Sequence, residues 1–581
     1  MVALTVLGGL STISGAAAHA PSVKPLPIPP RAPLAHGIFG PPGDNWTTFM
    51  GDDEHDSYQS VSPSLQASTA ANLSLQWSFQ SGGVIISEPV VANDRVYFGS
   101  WDGNEYSLQA TNGSKVWSTY TGQSRCVPST PHQVGVSATA TLEPADLYLG
   151  GGKDYWDDLS PSNGSVRWQV YTGNSNSTVG GGHYNWASPL IYGGDAYIGL
   201  ASHCDRPLVQ GQLLKVDLSS HVVVQVFNTT PLPTLGATIW STPAVNPSTG
   251  TIFFATGNLY ACCGRNTTLD DSIVAVNAST MTQVGHFQVP YSQRISDGDF
   301  GASVTLFHSD NGTAMVGDIN KDGLYFALRQ GNLSAGPVWV DHLSLNHSFS
   351  SASFAHGNLY IGSARTTSPS GAIIPGSVRS INATTGVVNW ERTMPGPVNG
   401  PVAVANNVVI AGGGRELAVL SASTGKLLYR FNSTGVFDGG PSVAAGRIYI
   451  GNVYGTLYCL GFPLAARASD NASAGGSAPL DIAFHAAGFG GLLGYNYSWS
   501  FGDGTYSAKA NPDHTYSTPG TYLVSLSVTD QYGAVATASV IVVVTDRDVR
   551  NCAPGRTFQR IVTRRGARML ATERRRPRLE A

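Results

Sequence analysis

The chain has 581 residues, of which 12% are charged and 68 are glycine, a composition that argues against a long-helix, coiled-coil or highly charged disordered protein and favours turn-rich β structure. Its net charge of −4 is unevenly spread: residues 1–546 carry 22 basic and 34 acidic side chains, whereas residues 547–581 carry 11 arginines and three acidic residues. The acidic body, at a net −12, disfavours a general role on nucleic acid.

In chain order, residues 1–20 form an apolar stretch ending in Ala-His-Ala, read as a signal peptide or truncated leader, because no basic segment precedes it. It is short for a full membrane span. Residues 21–45 read as a Pro-rich linker. Fifteen Asn-x-Ser/Thr sequons, among them those at Asn45, Asn112, Asn163, Asn266, Asn382 and Asn496, combine with the leader to predict a secreted or cell-surface glycoprotein.

Residues 46–463 are built on a recurring unit. A small or Pro-containing entry leads to an apolar strand closed by aromatic-x-Gly, then a second strand, an Asn/Ser-Thr-Gly turn, and a strand carrying Trp or Phe. The clearest copies start at Glu88 and Gly400; others begin near Ala138, Ser188, Thr242, Ala302, Ala352 and Gly440. Eight copies spaced by about 40–60 residues predict an all-β, eight-bladed β-propeller. The eighth copy is one strand short. The segment Leu73–Phe79 is expected to supply it, closing the ring and leaving no unpaired edge.

Between Thr238 and Gly323 the chain reads TIWSTPAVNPSTGTIFFATGN, SDGDFGASVTLF and INKDGLYFAL. Trp240 offers a flat face, Asn258 an amide oxygen, Asp299 a carboxylate and Lys321 a cation, a set suited to a planar anionic cofactor beside a metal. In order and context these stretches resemble the quinoprotein alcohol dehydrogenases, which carry pyrroloquinoline quinone and calcium on an eight-bladed propeller. The entry NWTTFMGDDEHDSYQS from Asn45 resembles theirs as well. The resemblance implies Trp240 under the quinone, Lys321 on its oxygens, Asn258 and Asp299 as calcium ligands, and Asp299 as general base. The pattern departs at a further ligand, usually Glu: GLASHCDRPLVQGQLLKVD holds none, and Asp205 is the nearest carboxylate.

Each of these residues also has a purely structural reading. Trp240, like Trp186, can pack in the funnel, Asn258 can cap a turn, Asp297 and Asp299 can form a loop pair, and Lys321 can be a hairpin residue. Two functions follow. One is oxidation of a small alcohol or sugar, with electrons leaving to a separate acceptor because no Cys-x-x-Cys-His haem motif is present. The other is a cofactor-free propeller that binds surface protein or glycan.

Of the six cysteines, Cys262 and Cys263 are adjacent and can bond to each other only in a strained ring, or be free or separately paired. Cys126 and Cys204 fall in loops of neighbouring blades and are a second pairing option. Cys459 is expected buried in a strand, and Cys552 lies in the tail.

A Ser/Ala/Gly-rich linker is read over 464–476. After it, residues 477–545 hold Tyr497-Ser-Trp499-Ser-Phe501-Gly-Asp503-Gly504, His514-Thr-Tyr516 and Pro519-Gly520-Thr-Tyr522. This pattern closely resembles the PKD domain, an immunoglobulin-like β-sandwich and commonly a spacer or adhesive unit, in which Asp503 is a turn residue. Trp499 and Phe501 alternate inward, as do Tyr522, Val524, Leu526 and Val528. The basic stretch 546–581 is expected to be disordered.

Overall fold

The computed structural model describes residues 45–546, apart from 63, 126–132, 176–181, 204–206, 260–268, 296, 346, 369, 472–474, 492–493 and 532. No helix of the described residues is long and apolar enough to cross a membrane.

Eight sheets, each built on four antiparallel strands, run in chain order, and we number them as blades one to eight; the third also pairs with His183–Tyr184 and the seventh takes Tyr58–Gln59 in parallel. Blade one spans Val90 to Tyr120, and blades two to seven begin at Thr141, Leu190, Ala244, Thr305, Ser353 and Ala403. Blade eight has three strands of its own, Ser442–Ala444, Arg447–Gly451 and Thr456–Gly461. Its fourth, Ser74–Gln80, comes from the other end of the chain and pairs antiparallel with Thr456–Gly461. The ring thus closes where the repeat count placed the closure.

Apolar clusters fill the seams between blades; one joins blades one, seven and eight through Phe98, Ile410 and Ile448. Outer strands add a girdle of indoles. Trp77, Trp117, Trp339 and Trp390 each lie against a glycine in the turn of the next blade, namely Gly113, Gly164, Gly386 and Gly425. A Cβ on any of these glycines would come within 2.9 Å of the ring. Each indole N–H also donates to that turn, at 2.8–3.1 Å, to the carbonyls of Ala110, Pro161, Ala383 and Ala422. Trp168 instead stacks on His221 at 4.3 Å. Blades three, four and seven break the run of indoles: by strand register, Gln225, Gly285 and Tyr429 take the tryptophan positions, so only three and four lack a ring there.

A ladder of hydroxyls lines the inner strands. The N–H groups of Glu88, Thr139, Ser188, Thr242 and Ser303 donate to the hydroxyls of Thr139, Ser188, Thr242, Ser303 and Ser351 respectively, at 2.8–3.1 Å. Each blade thereby satisfies the entry of the one before it. Three residues further along these strands, the N–H groups of Leu142, Val245, Leu306 and Phe354 donate to carbonyls of the segment Trp46–Gln59, as does that of Val404. Gln59 reaches blade eight through the Val443 carbonyl at 3.2 Å. This segment is a belt across one end of the channel. Following so tight a curve places Met50, His55 and Ser57 at positive φ, a conformation costing roughly 1–3 kcal/mol each for non-glycine residues.

Beyond blade eight the remaining strands make a three-stranded and a five-stranded sheet around Phe484, Trp499, Phe501 and Leu526. The structure corrects the expected linker 464–476: Ala465–Asp470 is a strand paired with Leu480–Phe489. Alanines at alternate positions, Ala466 and Ala468, face this core, and their small apolar area hides the period of two in the sequence.

Candidate functional site

Trp240, Thr242 and Val245 follow one another along the inner strand of blade four, and Val245 meets the belt. Trp240 therefore stands at the opposite end of the channel. Its neighbours arrive from three blades. Segment 236–240 is pinned by the Ala237 N–H on the Asn258 carbonyl at 2.9 Å and the Gly257 N–H on the Thr238 carbonyl at 2.8 Å. The Lys321 N–H donates to the Asp299 carbonyl at 2.9 Å, and Lys321 sits in a tight turn in which the Gly323 N–H reaches the Asn320 carbonyl.

These supports bring Trp240, Asn258, Asp299 and Lys321 into the wall of one cavity of about 160 Å³, which Trp186, Ser202 and Thr238 complete. The Trp240 indole N–H donates to Asp299 Oδ2 at 3.3 Å. Lys321 Nζ lies 2.8 Å from Asp299 Oδ1, 2.7 Å from Asp297 Oδ1 and 4.9 Å from the centre of the Trp240 ring. Asp299 is buried, Asp297 is exposed, and Trp240 and Asn258 are half-buried. Burial alone would lower the Lys321 ammonium, but the charges of Asp299 and Asp297 outweigh it and hold its pKa above the usual lysine value.

Glycine makes the floor. A Cβ at Gly301 would lie 2.8 Å from Trp240 and 2.5 Å from Phe349, whose ring meets Trp240 edge-on at 6.0 Å. A Cβ at Gly257 would lie 3.2 Å from Asp299 Oδ2 and 3.3 Å from Thr238 Oγ1. Behind Trp186, the Tyr184 ring stacks on the buried His203 at 4.7 Å. Sequence reasoning missed Thr238 and Ser202 as lining residues and placed Trp186 in the funnel without a role; the S-x-P and W-x-S-P context around blade entries was the available signal. Asp205 lies outside the described residues, as do Cys126, Cys204, Cys262, Cys263 and Cys552. Cys459 is free and buried, and burial pushes its thiol up to about 12.

Family models match in two places. Residues 463–545 match the PKD domain, and residues 32–217 and 375–461 match the outer membrane protein assembly factor BamB. A Pseudomonas polyvinylalcohol dehydrogenase is 22% identical over 523 residues, covering 77% of this chain and 79% of its own. The quinohemoprotein alcohol dehydrogenase of Comamonas testosteroni superposes with a TM-score of 0.58 at 16% identity, over 72% of this chain and 80% of its own. A europium-containing methanol dehydrogenase gives 0.59 at 13%, over 72% and 98%. The chain has the propeller fold of the quinoprotein alcohol dehydrogenases, followed by a segment that matches the PKD domain. At these identities the structural likeness speaks for the fold.

Chemically, the propeller's cavity offers a flat aromatic face, a cation, a buried carboxylate and an amide oxygen within one small space. Among the described residues no group of three or more His, Cys, Asp or Glu is arranged to hold a metal. Asn258 and Asp299 are the side chains in the wall best suited to a hard cation.

Proposed function

We propose that the funnel mouth oxidises an alcohol or sugar hydroxyl using pyrroloquinoline quinone and calcium, outside the cytoplasm. The observation that carries this reading is the convergence of Trp240, Asn258, Asp299 and Lys321, from separate loops, on one cavity. The donor set suits the group: Trp240 supplies a stacking face, Lys321 a cation for anionic oxygens, and Asn258 with Asp299 oxygen ligands for calcium. When bound, the quinone would supply the acceptor for the hydride, with its electron pair, of the alcohol carbon. Asp299 holds the proton position. Its carboxylate takes the substrate hydroxyl proton at Oδ1 or Oδ2, and the Trp240 N–H and the Lys321 ammonium orient it. Electrons then leave to a separate acceptor.

A second reading, a cofactor-free propeller that binds protein or glycan, is favoured by the size of the cavity. Its 160 Å³ falls below the roughly 300–1,000 Å³ of ordinary ligand sites, and Lys321 already neutralises Asp299.

Titration of the purified protein with the quinone, with and without calcium, separates the two. Quenching of tryptophan fluorescence that requires calcium is expected, and Asp299→Asn should keep the quinone while lowering alcohol-dependent dye reduction about 10²–10⁴-fold. Absence of quinone binding at micromolar concentration with excess calcium would leave the binding propeller as the function.

A further inference from the structure

A second cavity, about 600 Å³, opens where the tryptophan girdle is broken, between the outer strands of blades three and four. Its size lies within the range of ordinary ligand sites. Gln210, Phe227, Asn228, Leu232, Gln283 and His286 are its principal walls, and its described residues include no Asp, Glu, Lys or Arg.

The polar groups there are both donors and acceptors. Gln210 gives its Nε2 to the Thr230 carbonyl at 2.6 Å and Gln283 gives its Nε2 to His286 Nδ1 at 3.0 Å, which leaves the amide oxygen of each as the acceptor end of its side chain. With Nδ1 accepting, His286 carries its proton on Nε2, a donor. Gln212 occupies Asn228 Oδ1 at 2.8 Å, leaving the Asn228 amide nitrogen as a second donor. Burial lowers the His286 pKa, so the wall is uncharged at neutral pH. Phe227 and Leu232 add apolar surface between these groups.

A hydroxyl both donates and accepts, and a chain of carbons bearing spaced hydroxyls presents such groups alternating with apolar C–H faces. Among the described walls a charged ligand would find no counter-ion. The cavity also backs directly onto the funnel. Its wall residues Thr229 to Leu232 lead into segment 236–240, Thr229 Oγ1 donates to the Ala237 carbonyl at 2.8 Å, and Thr238 and Trp240 line the other side. The two cavities therefore share one stretch of backbone.

We propose that the seam between blades three and four is a binding site for an uncharged, polyhydroxylated chain, glycan or polyol, a further part of which is presented at the funnel mouth. The destination of the chain rests on the alcohol-oxidising reading, whereas its binding does not.

Calorimetric titration of the full-length protein at pH 7 with maltohexaose, oligomeric poly(vinyl alcohol) and oligogalacturonate tests this. At least one neutral chain should bind, with the anionic chain at least tenfold weaker, and omission of quinone and calcium should change nothing. Binding of maltohexaose alone assigns the site to glycans, and of the polyol alone to polyols. Gln283→Ala and His286→Ala lie on an exposed outer strand; with unchanged thermal unfolding, each should weaken binding at least tenfold. Wild-type affinity in both variants, equal binding of the anionic chain, or no neutral binding at millimolar concentration would overturn the proposal. Neutral binding lost in the variants, in a protein that takes no quinone, would keep this site and remove the redox reading of the funnel.

Discussion

Glu88 occupies the position that Thr139, Ser188, Thr242, Ser303 and Ser351 hold in the hydroxyl ladder and that Gly400 and Gly440 hold in the last two blades. Its side chain reaches the space beside one of these glycines: a Cβ on Gly440 would lie 3.0 Å from Glu88 Oε1. One carboxyl oxygen accepts the Met50 N–H, and the other is buried without a protein hydrogen-bond partner. Burial, opposed weakly by the hydrogen bonds, pushes this carboxyl from its ordinary 4.5 up to about 8. The folded protein thus keeps a proton that the unfolded chain releases near pH 4.5. Stability from this group is fully present below that value and is lost as pH rises through about 8. Glu88→Gln should therefore unfold at the wild-type temperature at pH 5 and be more stable by roughly 1–3 kcal/mol at pH 8.5, measured by chemical denaturation at both pH values. An equal offset at both would mean that Glu88 does not carry this proton. At the same scale, the four predicted pocket residues were legible because each is a distinct chemical type in a distinct local motif. Thr238 and Ser202 were not, since hydroxyl residues recur throughout the blades and Ser202, at the end of the strand Asp195–Ser202, has no local motif to mark it.

Among elements, the closing strand Ser74–Gln80 joins the two ends of the propeller. Trp77 anchors it, burying its ring between Gly113 and Tyr449 while its N–H reaches Ala110. Trp77→Ala should cost about 3–5 kcal/mol, since it removes a buried aromatic side chain, while the Ala110 carbonyl keeps a donor in Arg447 at 2.7 Å. Urea unfolding followed by far-UV circular dichroism would measure it, and a loss under 1 kcal/mol would show that the strand is not a tight closure. The strand was readable because Leu73-Ser-Leu-Gln-Trp-Ser-Phe alternates at period two and carries the tryptophan of the other outer strands. Ala465–Asp470 was not readable: alanine, arginine and serine give almost no hydrophobic contrast between its two faces. The belt Trp46–Gln59 has no regular period at all, because its carbonyls bond to successive blades at unequal intervals of one to six residues.

For the whole molecule, the apolar clusters fall into those shared by neighbouring blades and one confined to the sandwich, drawn from residues 464–544. Each unit buries its own core, so calorimetry should resolve two transitions, and a chain ending at residue 463 should keep the propeller's transition unchanged. A single transition lost on truncation would show that the two cores are coupled. The amino-acid sequence by itself determined the all-β class, the eight repeats, the closure and the sandwich, because these follow from local periodicity, turn glycines and indoles repeated at blade spacing. Only the tertiary structure decided that Trp240, Asn258, Asp299 and Lys321 share one wall, that Glu88 stands in the channel between belt and ladder, and that a second cavity, whose described walls carry no Asp, Glu, Lys or Arg, opens between blades three and four. Those are meetings of side chains dozens to hundreds of residues apart, set by the angle between blades, and no local pattern encodes them.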